Sequence, residues 1–380
     1  MKIAILTNNQ KPLPSPKDSM YSPNLVASDI TEELVARGHE VYLFSGKDSV
    51  TKANLCSGDI FTNYHDNSDL QKEDPLKYQQ LGVQYELFLI SKALELTKQH
   101  KFDVIHAHDQ NLLPYFSNLI DTPIVFTYHA NILFDMKFEI IRKRFQKFYT
   151  QNFYVAISQW QKKQSEKYLN VVDVVNHGIN IKKYEFSDHP QDHILFLGRL
   201  IETKGPDLAI EIALKLQKRV YLGGDIGQET DNQIFWNKKL KPLANNKLVK
   251  FLGHIPFDKT NKLYGEAKLF ILPIRWDEPF GLVMIEAMAC GTPVVAFNRG
   301  SVPEVIKNGE TGFICPPGDI NCMVKAVKKI YEMPEDEYQK MRLVCRKYVE
   351  DNFTVEKMVD GYEKVYQKVI NDWRGRDEKK

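Results

Sequence analysis

Trp276-Asp277-Glu278-Pro279-Phe280-Gly281-Leu282-Val283-Met284-Ile285-Glu286-Ala287-Met288-Ala289-Cys290-Gly291-Thr292-Pro293-Val294-Val295 is the stretch on which the reading of this chain turns. The apolar run Leu269-Phe270-Ile271-Leu272-Pro273 before it reads as a buried parallel strand. Pro279 and Gly281 end a loop, Leu282 to Cys290 reads as a helix closed by Gly291, and Thr292-Pro293 lead into a β-branched strand. The unit is strand, loop, helix, strand. In an open α/β sheet such a loop lies at the carboxyl ends of the strands, where ligands bind. The helix start offers unpaired amides suited to an anion or to sugar hydroxyls. Glu278 and Glu286 stand eight apart, slightly over two turns, so both face one crevice if the loop winds helically. An ionised Glu286 between Val283-Met284-Ile285 and Ala287-Met288-Ala289 needs a specific partner, which weighs against two merely solvated glutamates.

The stretch resembles the Glu-x7-Glu motif of retaining family-4 glycosyltransferases, and the likeness extends through Gly300-Ser301-Val302-Pro303-Glu304-Val305 and Thr311-Gly312-Phe313. The resemblance implies the α/β GT-B fold, two Rossmann-like domains facing a central cleft with a C-terminal helix crossing back to the first. On that reading residues 1–187 form an acceptor-binding domain, 188–355 a nucleotide-sugar-binding domain, and 356–380 the returning helix. Met358, Tyr362, Val365, Tyr366 and Val369 are its expected contacts.

A length of 380 residues suits two domains, each burying its own core. Hydrophobic content of 43% and charged content of 26% are those of a soluble globular chain, and a formal charge of +2 gives no reason to expect nucleic acid. Met1 to Thr7 reads as a short strand rather than a secretion leader, and no apolar run reaches the ~18–20 residues of a membrane span. Cys56, Cys290, Cys315, Cys322 and Cys345 form no CxxC pair, so five reduced thiols, no structural zinc and a cytoplasmic setting are expected.

Lys2 to Leu6 is the first strand, and Ser22-Pro23 reads as the N-cap and first residue of a helix with Val26, Ile30 and Leu34 on one face, closed by Gly38. Relatives carry a glycine pair in the loop before it. Here Lys17-Asp18-Ser19-Met20-Tyr21-Ser22 has none, so an anion would be met by hydroxyls such as Ser22 or by amides near Asn24. Residues 48–78 read as a polar, irregular insertion and Gln84 to Lys98 as a helix. Phe102 to Asp109 is a buried strand ending in His106, His108 and Asp109. Such an ending suits hydrogen-bonded structure or acceptor contact better than a metal, for no third ligand element follows. His129 ends the next strand, where imidazole is placed to donate to a sugar hydroxyl. In 134–149, Phe138, Ile141, Phe145 and Phe148 form an apolar face opposite Lys137, Arg142, Lys143, Arg144 and Lys147. That is either a core helix with a solvated basic face or a peripheral membrane contact at the inner face.

Ser187 to His193 reads as the linker. Ile194 to Gly198 then makes a strand and glycine turn, followed by Arg199 and Lys204, cations able to meet one diphosphate. Gly223-Gly224-Asp225-Ile226-Gly227 lacks the spacing of a dinucleotide fingerprint.

By the resemblance, His129, Arg199, Lys204 and Glu278 are the catalytic residues, Arg199 and Lys204 holding the donor diphosphate and Glu278 the sugar hydroxyls. Glu286 binds ribose, His254 and Ile255 flank the base, and Gly198, Phe280, Gly281, Leu282 and Val283 line the donor pocket. His106, His108 and Asp109 are candidates for the acceptor. The expected reaction moves a hexose-type sugar from a nucleotide-sugar donor, UDP-linked, to a hydroxyl acceptor in polysaccharide, glycolipid or glycoconjugate synthesis, with no cofactor or metal. Neither glutamate is expected to be a raised-pKa acid. A GT-B phosphorylase, a nucleotide-sugar epimerase and a non-catalytic sugar-nucleotide binding protein are the alternatives.

Overall fold

Short apolar runs become strands buried on both faces, and parallel pairing follows because each is joined to the next by a crossover. The computed structural model describes residues 1–17, 21–130, 138–139, 143, 152–187, 189–227 and 229–377. Their contacts divide the chain into two units, Met1–Gly178 with Val355–Lys380, and Ile179–Thr354.

The first unit holds β1 (Lys2–Leu6), β2 (Glu40–Phe44), β3 (Asn54–Leu55), β4 (Val104–His108), β5 (Ile124–Thr127), β6 (Asn152–Ala156) and β7 (Val171–Val174). They form one parallel sheet in the order β3-β2-β1-β4-β5-β6-β7. The strand order reverses between β1 and β4, which puts the ligand side of this unit at the ends Leu6 and His108. The helix Val355–Asp377 belongs to this unit, with Met358, Tyr362, Val365, Tyr366 and Val369 all buried. Polar bonds fix its register: the Tyr366 hydroxyl meets His106 Nδ1 at 2.7 Å, and Arg37 donates to Asp360 and Glu363 at 2.7 and 2.6 Å.

The second unit holds β8 (His193–Leu197), β9 (Arg219–Gly223), β10 (Val249–Gly253), β11 (Leu269–Leu272), β12 (Val294–Phe297) and β13 (Gly312–Cys315). Their order is β10-β9-β8-β11-β12-β13, again parallel, with the reversal between β8 and β11.

Several expectations shift. Residues 179–187 group with the second unit instead of ending the first: the Ile179 amide donates to Phe353 at 2.9 Å, and Tyr184 and Glu185 bond to residues of that unit. Tyr21, not Ser22, is the N-cap of the helix Ser22–Ala36, and it caps without a side-chain bond. The expected helix from Gln84 starts at Pro75, because Asp74 caps it by accepting from the Lys77 amide at 3.0 Å. Within 48–78 the chain forms β3 and short helices at Asn63–Asn67 and Leu70–Glu73. Cys315 and Cys322, expected as free thiols, pair as a disulfide where β13 turns into the helix Ile320–Tyr331. Of residues 134–149 only 138, 139 and 143 are described, so the membrane-surface reading lies outside the described residues. Among the described residues no helix is long and apolar enough to cross a membrane.

Candidate functional site

Two loops leave the switch point of the second unit, one after β8 and one after β11, and a single ion pair ties them together. Lys204 Nζ, from the first loop, donates to Glu278 Oε2, from the second, at 2.8 Å. Trp276 Nε1–H donates to the same oxygen at 3.1 Å, and the ammonium sits 4.4 Å from the Trp276 ring centroid. Glu278 Oε1 accepts no hydrogen bond among the described residues. One oxygen is held by protein and the other is left for a hydroxyl donor.

The backbone of this loop is fastened from behind. Ser301 N–H donates to the Glu278 carbonyl at 2.8 Å, and Ser301 Oγ–H to the Phe280 carbonyl at 2.9 Å. The Phe280 ring packs edge-on against Phe353, so that side chain belongs to the core and only its backbone borders the site. Gly281 has φ 82° and is the N-cap of the helix Leu282–Ala289. A side chain there would be strained in the left-handed region, and its Cβ would come 3.0 Å from Glu278 Cγ. Leu282 and Val283, half-buried, open the helix with first-turn amides that have no intrahelical acceptor.

Glu286 lies one layer deeper than expected. It is buried, with Tyr184 O–H donating to Oε1 at 3.2 Å and Tyr264 O–H to Oε2 at 2.9 Å. Burial raises its pKa, against the two tyrosine bonds that lower it, so the expectation of an ordinary acid fails at this residue. Each oxygen keeps a second lone pair, which is what a ribose hydroxyl would need.

Arg199 follows Gly198 at the end of β8, exposed and without a hydrogen bond or ion pair among the described residues. Leu200 N–H donates to the Asp225 carbonyl at 2.7 Å and His254 Nδ1 meets the Asp225 carboxylate at 3.0 Å. Those bonds connect the loops after β8, β9 and β10. Ile255 packs over Gly223 beside His254.

In the first unit the strand-end histidines form a relay. His108 Nδ1 meets His129 Nε2 at 3.0 Å, and His129 Nδ1 meets His177 Nε2 at 3.1 Å. Both ring nitrogens of His129 are therefore engaged in this structure, and a sugar hydroxyl would have to replace one of those bonds. His106 is fully buried between Tyr366 and Thr127, which meets its Nε2 at 2.9 Å. Its ring is enclosed in the core, and His108 is buried beside it. Asp109 has φ 48°, accepts from the His129 amide at 2.9 Å and takes the Tyr21 hydroxyl at 3.0 Å. Burial raises its pKa to about 6. Among the described residues no His, Cys, Asp and Glu group suits a metal ion. Ser22 is exposed at the helix start, and the Asn24 amide donates to the Tyr21 carbonyl at 3.0 Å.

Sequence reasoning missed Trp276, Tyr184, Tyr264 and His177 as partners. Trp276, two residues from Glu278, had a signal in the quoted stretch. The buried Glu286 called for a donor without naming which one.

Comparison with known proteins finds two matching family models. Residues 24–183 match the model of Glycosyltransferase Family 4, and residues 179–350 match that of Glycosyl transferases group 1. Glycogen synthase of Mycobacterium tuberculosis is 30% identical over 189 residues, 47% of this chain but only 44% of that protein. Among solved structures, sucrose-phosphate synthase from Thermosynechococcus elongatus superimposes with TM-score 0.73 at 17% identity, over 98% of this chain and 100% of that one. Anabaena Alr3699/HepE in complex with UDP and glucose gives 0.70 at 21% identity, over 97% and 99%. The fold is GT-B, with two parallel-sheet Rossmann-like domains.

Proposed function

We propose that this chain, whose residues match the family-4 and group 1 glycosyltransferase models, moves a hexose-type sugar from a UDP-linked donor to a hydroxyl acceptor, with retention at the anomeric carbon. The observation that carries the reading is the Lys204–Glu278 pair at the switch point, with one carboxylate oxygen held and the other open. A sugar hydroxyl donating to Glu278 Oε1 would sit beside the Lys204 ammonium, and the exposed guanidinium of Arg199 is carried on the same loop after β8. That combination suits a glycosyl diphosphate.

The reaction breaks the bond between the anomeric carbon and the diphosphate oxygen and forms one to the acceptor oxygen. Negative charge grows on the leaving diphosphate, and Lys204, Arg199 and the first amides of the helix Leu282–Ala289 would stabilise it by preorganised electrostatics. These cations fill the role that a metal ion has elsewhere. The departing phosphate oxygen takes the acceptor's proton on the same face of the sugar, so no covalent nucleophile is assigned. Glu286, oriented by its two tyrosines, would receive the ribose, and His254 with Ile255 would border the base. HepE, whose structure holds UDP and glucose, supports the choice of a UDP-linked donor.

Incubation with UDP-glucose or UDP-galactose and a panel of sugar acceptors, followed by proton NMR, tests the reading. UDP release with a product that keeps the donor's anomeric configuration is expected. An inverted product, phosphate-dependent turnover, or donor isomerised without acceptor would replace it with another chemistry.

A further inference from the structure

The segment between β2 and β4, of which residues 48–78 read from sequence as an irregular insertion and Gln84 to Lys98 as a helix, builds a cavity of about 340 Å³ in the first unit. Its scaffold is fixed to the loop after β1: Asn63 N–H donates to the Asn9 carbonyl at 3.1 Å and Tyr64 N–H to the Gln10 carbonyl at 3.0 Å. Glu86, on the helix Pro75–Gln99, accepts the Asn111 and Leu112 amides at 3.0 and 3.1 Å, next to the end of β4. The insertion is thus anchored to both loops of this unit's switch point, the side of a doubly wound sheet on which ligands bind.

The cavity walls divide into fixed and free groups. Phe61 is stacked on His65 at 3.8 Å and covered by Lys47 Nζ at 4.1 Å, so its ring is occupied. Tyr85 donates to Asp66 at 2.6 Å and accepts from Asn67 at 3.2 Å. Three groups remain open. Phe88 is 44% exposed, with one ring edge over Gly58. The side chains of Asp59 and Gln84 make no hydrogen bond among the described residues. Asp59 is also held at φ 63°, a left-handed conformation that costs a residue with a Cβ.

An aromatic face flanked by a carboxylate and an amide is the chemistry that recognises a saccharide. The ring takes the C–H face of a pyranose, the carboxylate accepts from hydroxyls, and the amide both donates and accepts. Asp59 and Asp66 disfavour a phosphate or nucleic-acid ligand. The volume falls within the range of about 300–1,000 Å³ found for small-molecule sites. We infer that this cavity is a saccharide subsite, with Phe88 as its stacking platform and Asp59 and Gln84 as its hydroxyl contacts. That the saccharide is the acceptor rests on the transferase reading; the recognition chemistry does not.

Saturation-transfer difference NMR on the full chain tests this, with methyl α-D-glucopyranoside, methyl β-D-galactopyranoside, maltose and choline as probes, against wild type, Phe88→Ala and Gln84→Ala. Both substituted side chains are exposed, and unchanged thermal midpoints serve as the folding control. At least one glycoside is expected to give ring-proton signals that fall about tenfold in either variant, the loss of one aromatic or hydrogen-bonded contact. No glycoside signal that depends on Phe88, or a Phe88-dependent signal from choline alone, would overturn it. UDP added to the same samples separates the two readings. Glycoside binding without UDP binding removes the transferase and leaves the subsite, whereas UDP binding without Phe88-dependent glycoside removes the subsite alone.

Discussion

Four histidines of the first unit are neutral because burial disfavours their charged form. His106 and His129 are held near pKa 3, and His108 and His177 lie well below the ordinary value. In the unfolded chain each would titrate near 6.5, so stability present above that value is lost as pH falls through it. Asp109 has the opposite sign: raised to about 6, its contribution is lost as pH rises through that value. His193 of the second unit is lowered in the same sense as the four histidines and Glu286 is raised like Asp109, so unfolding near pH 5 takes up protons on balance. Urea midpoints measured at about pH 7 and about pH 5 should therefore drop on acidification, and midpoints that hold or rise would contradict the buried neutral relay. Glu286 offers a second test at this scale. Tyr264→Phe removes a donor that stabilises its carboxylate, and should weaken UDP binding about tenfold, with recovery as pH rises. Unchanged affinity across pH would show that the carboxylate does not serve the ligand. The identities of Lys204 and Glu278 were legible in the sequence from the glycine turn and the Glu spacing. Their bond was not, because nothing in local sequence says that residues 74 apart meet.

Element boundaries follow from capping chemistry. The helix Pro75–Gln99 shows this, since Asp74-Pro75 supplies the cap and first-turn proline nine residues before Gln84, where the helix was expected to begin. The disulfide between Cys315 and Cys322 escaped for a different reason: it depends on the turn Pro316 to Asp319 bringing strand end and helix start together. Gly281 is the element-scale test of the site. Gly281→Ala forces a Cβ into the left-handed region at about 1–2 kcal/mol and crowds Glu278. A lowered thermal midpoint together with weaker UDP binding is expected; a fall in stability with UDP affinity intact would detach this turn from the ligand.

For the whole molecule, the two parallel sheets were readable from alternating strand and helix patterns, whereas the returning helix was implied by the resemblance, with Met358, Tyr362, Val365, Tyr366 and Val369 as its expected contacts. The division after Gly178 was less readable, because Ser187 to His193 reads as the linker, yet Ile179 to Ser187 is already bonded to the second unit. Residues 48–78 were opaque, their order coming from side-chain bonds such as Thr62 to Asp48 and not from periodicity. On the proposed function the donor lies at the switch point between β8 and β11, with Lys204 as its diphosphate contact. Isothermal titration of UDP into the wild-type chain and Lys204→Ala addresses it most directly. Binding by the wild type that weakens at least about tenfold in the variant is the expected result. Equal affinity in both, or no binding by the wild type, would contradict the account.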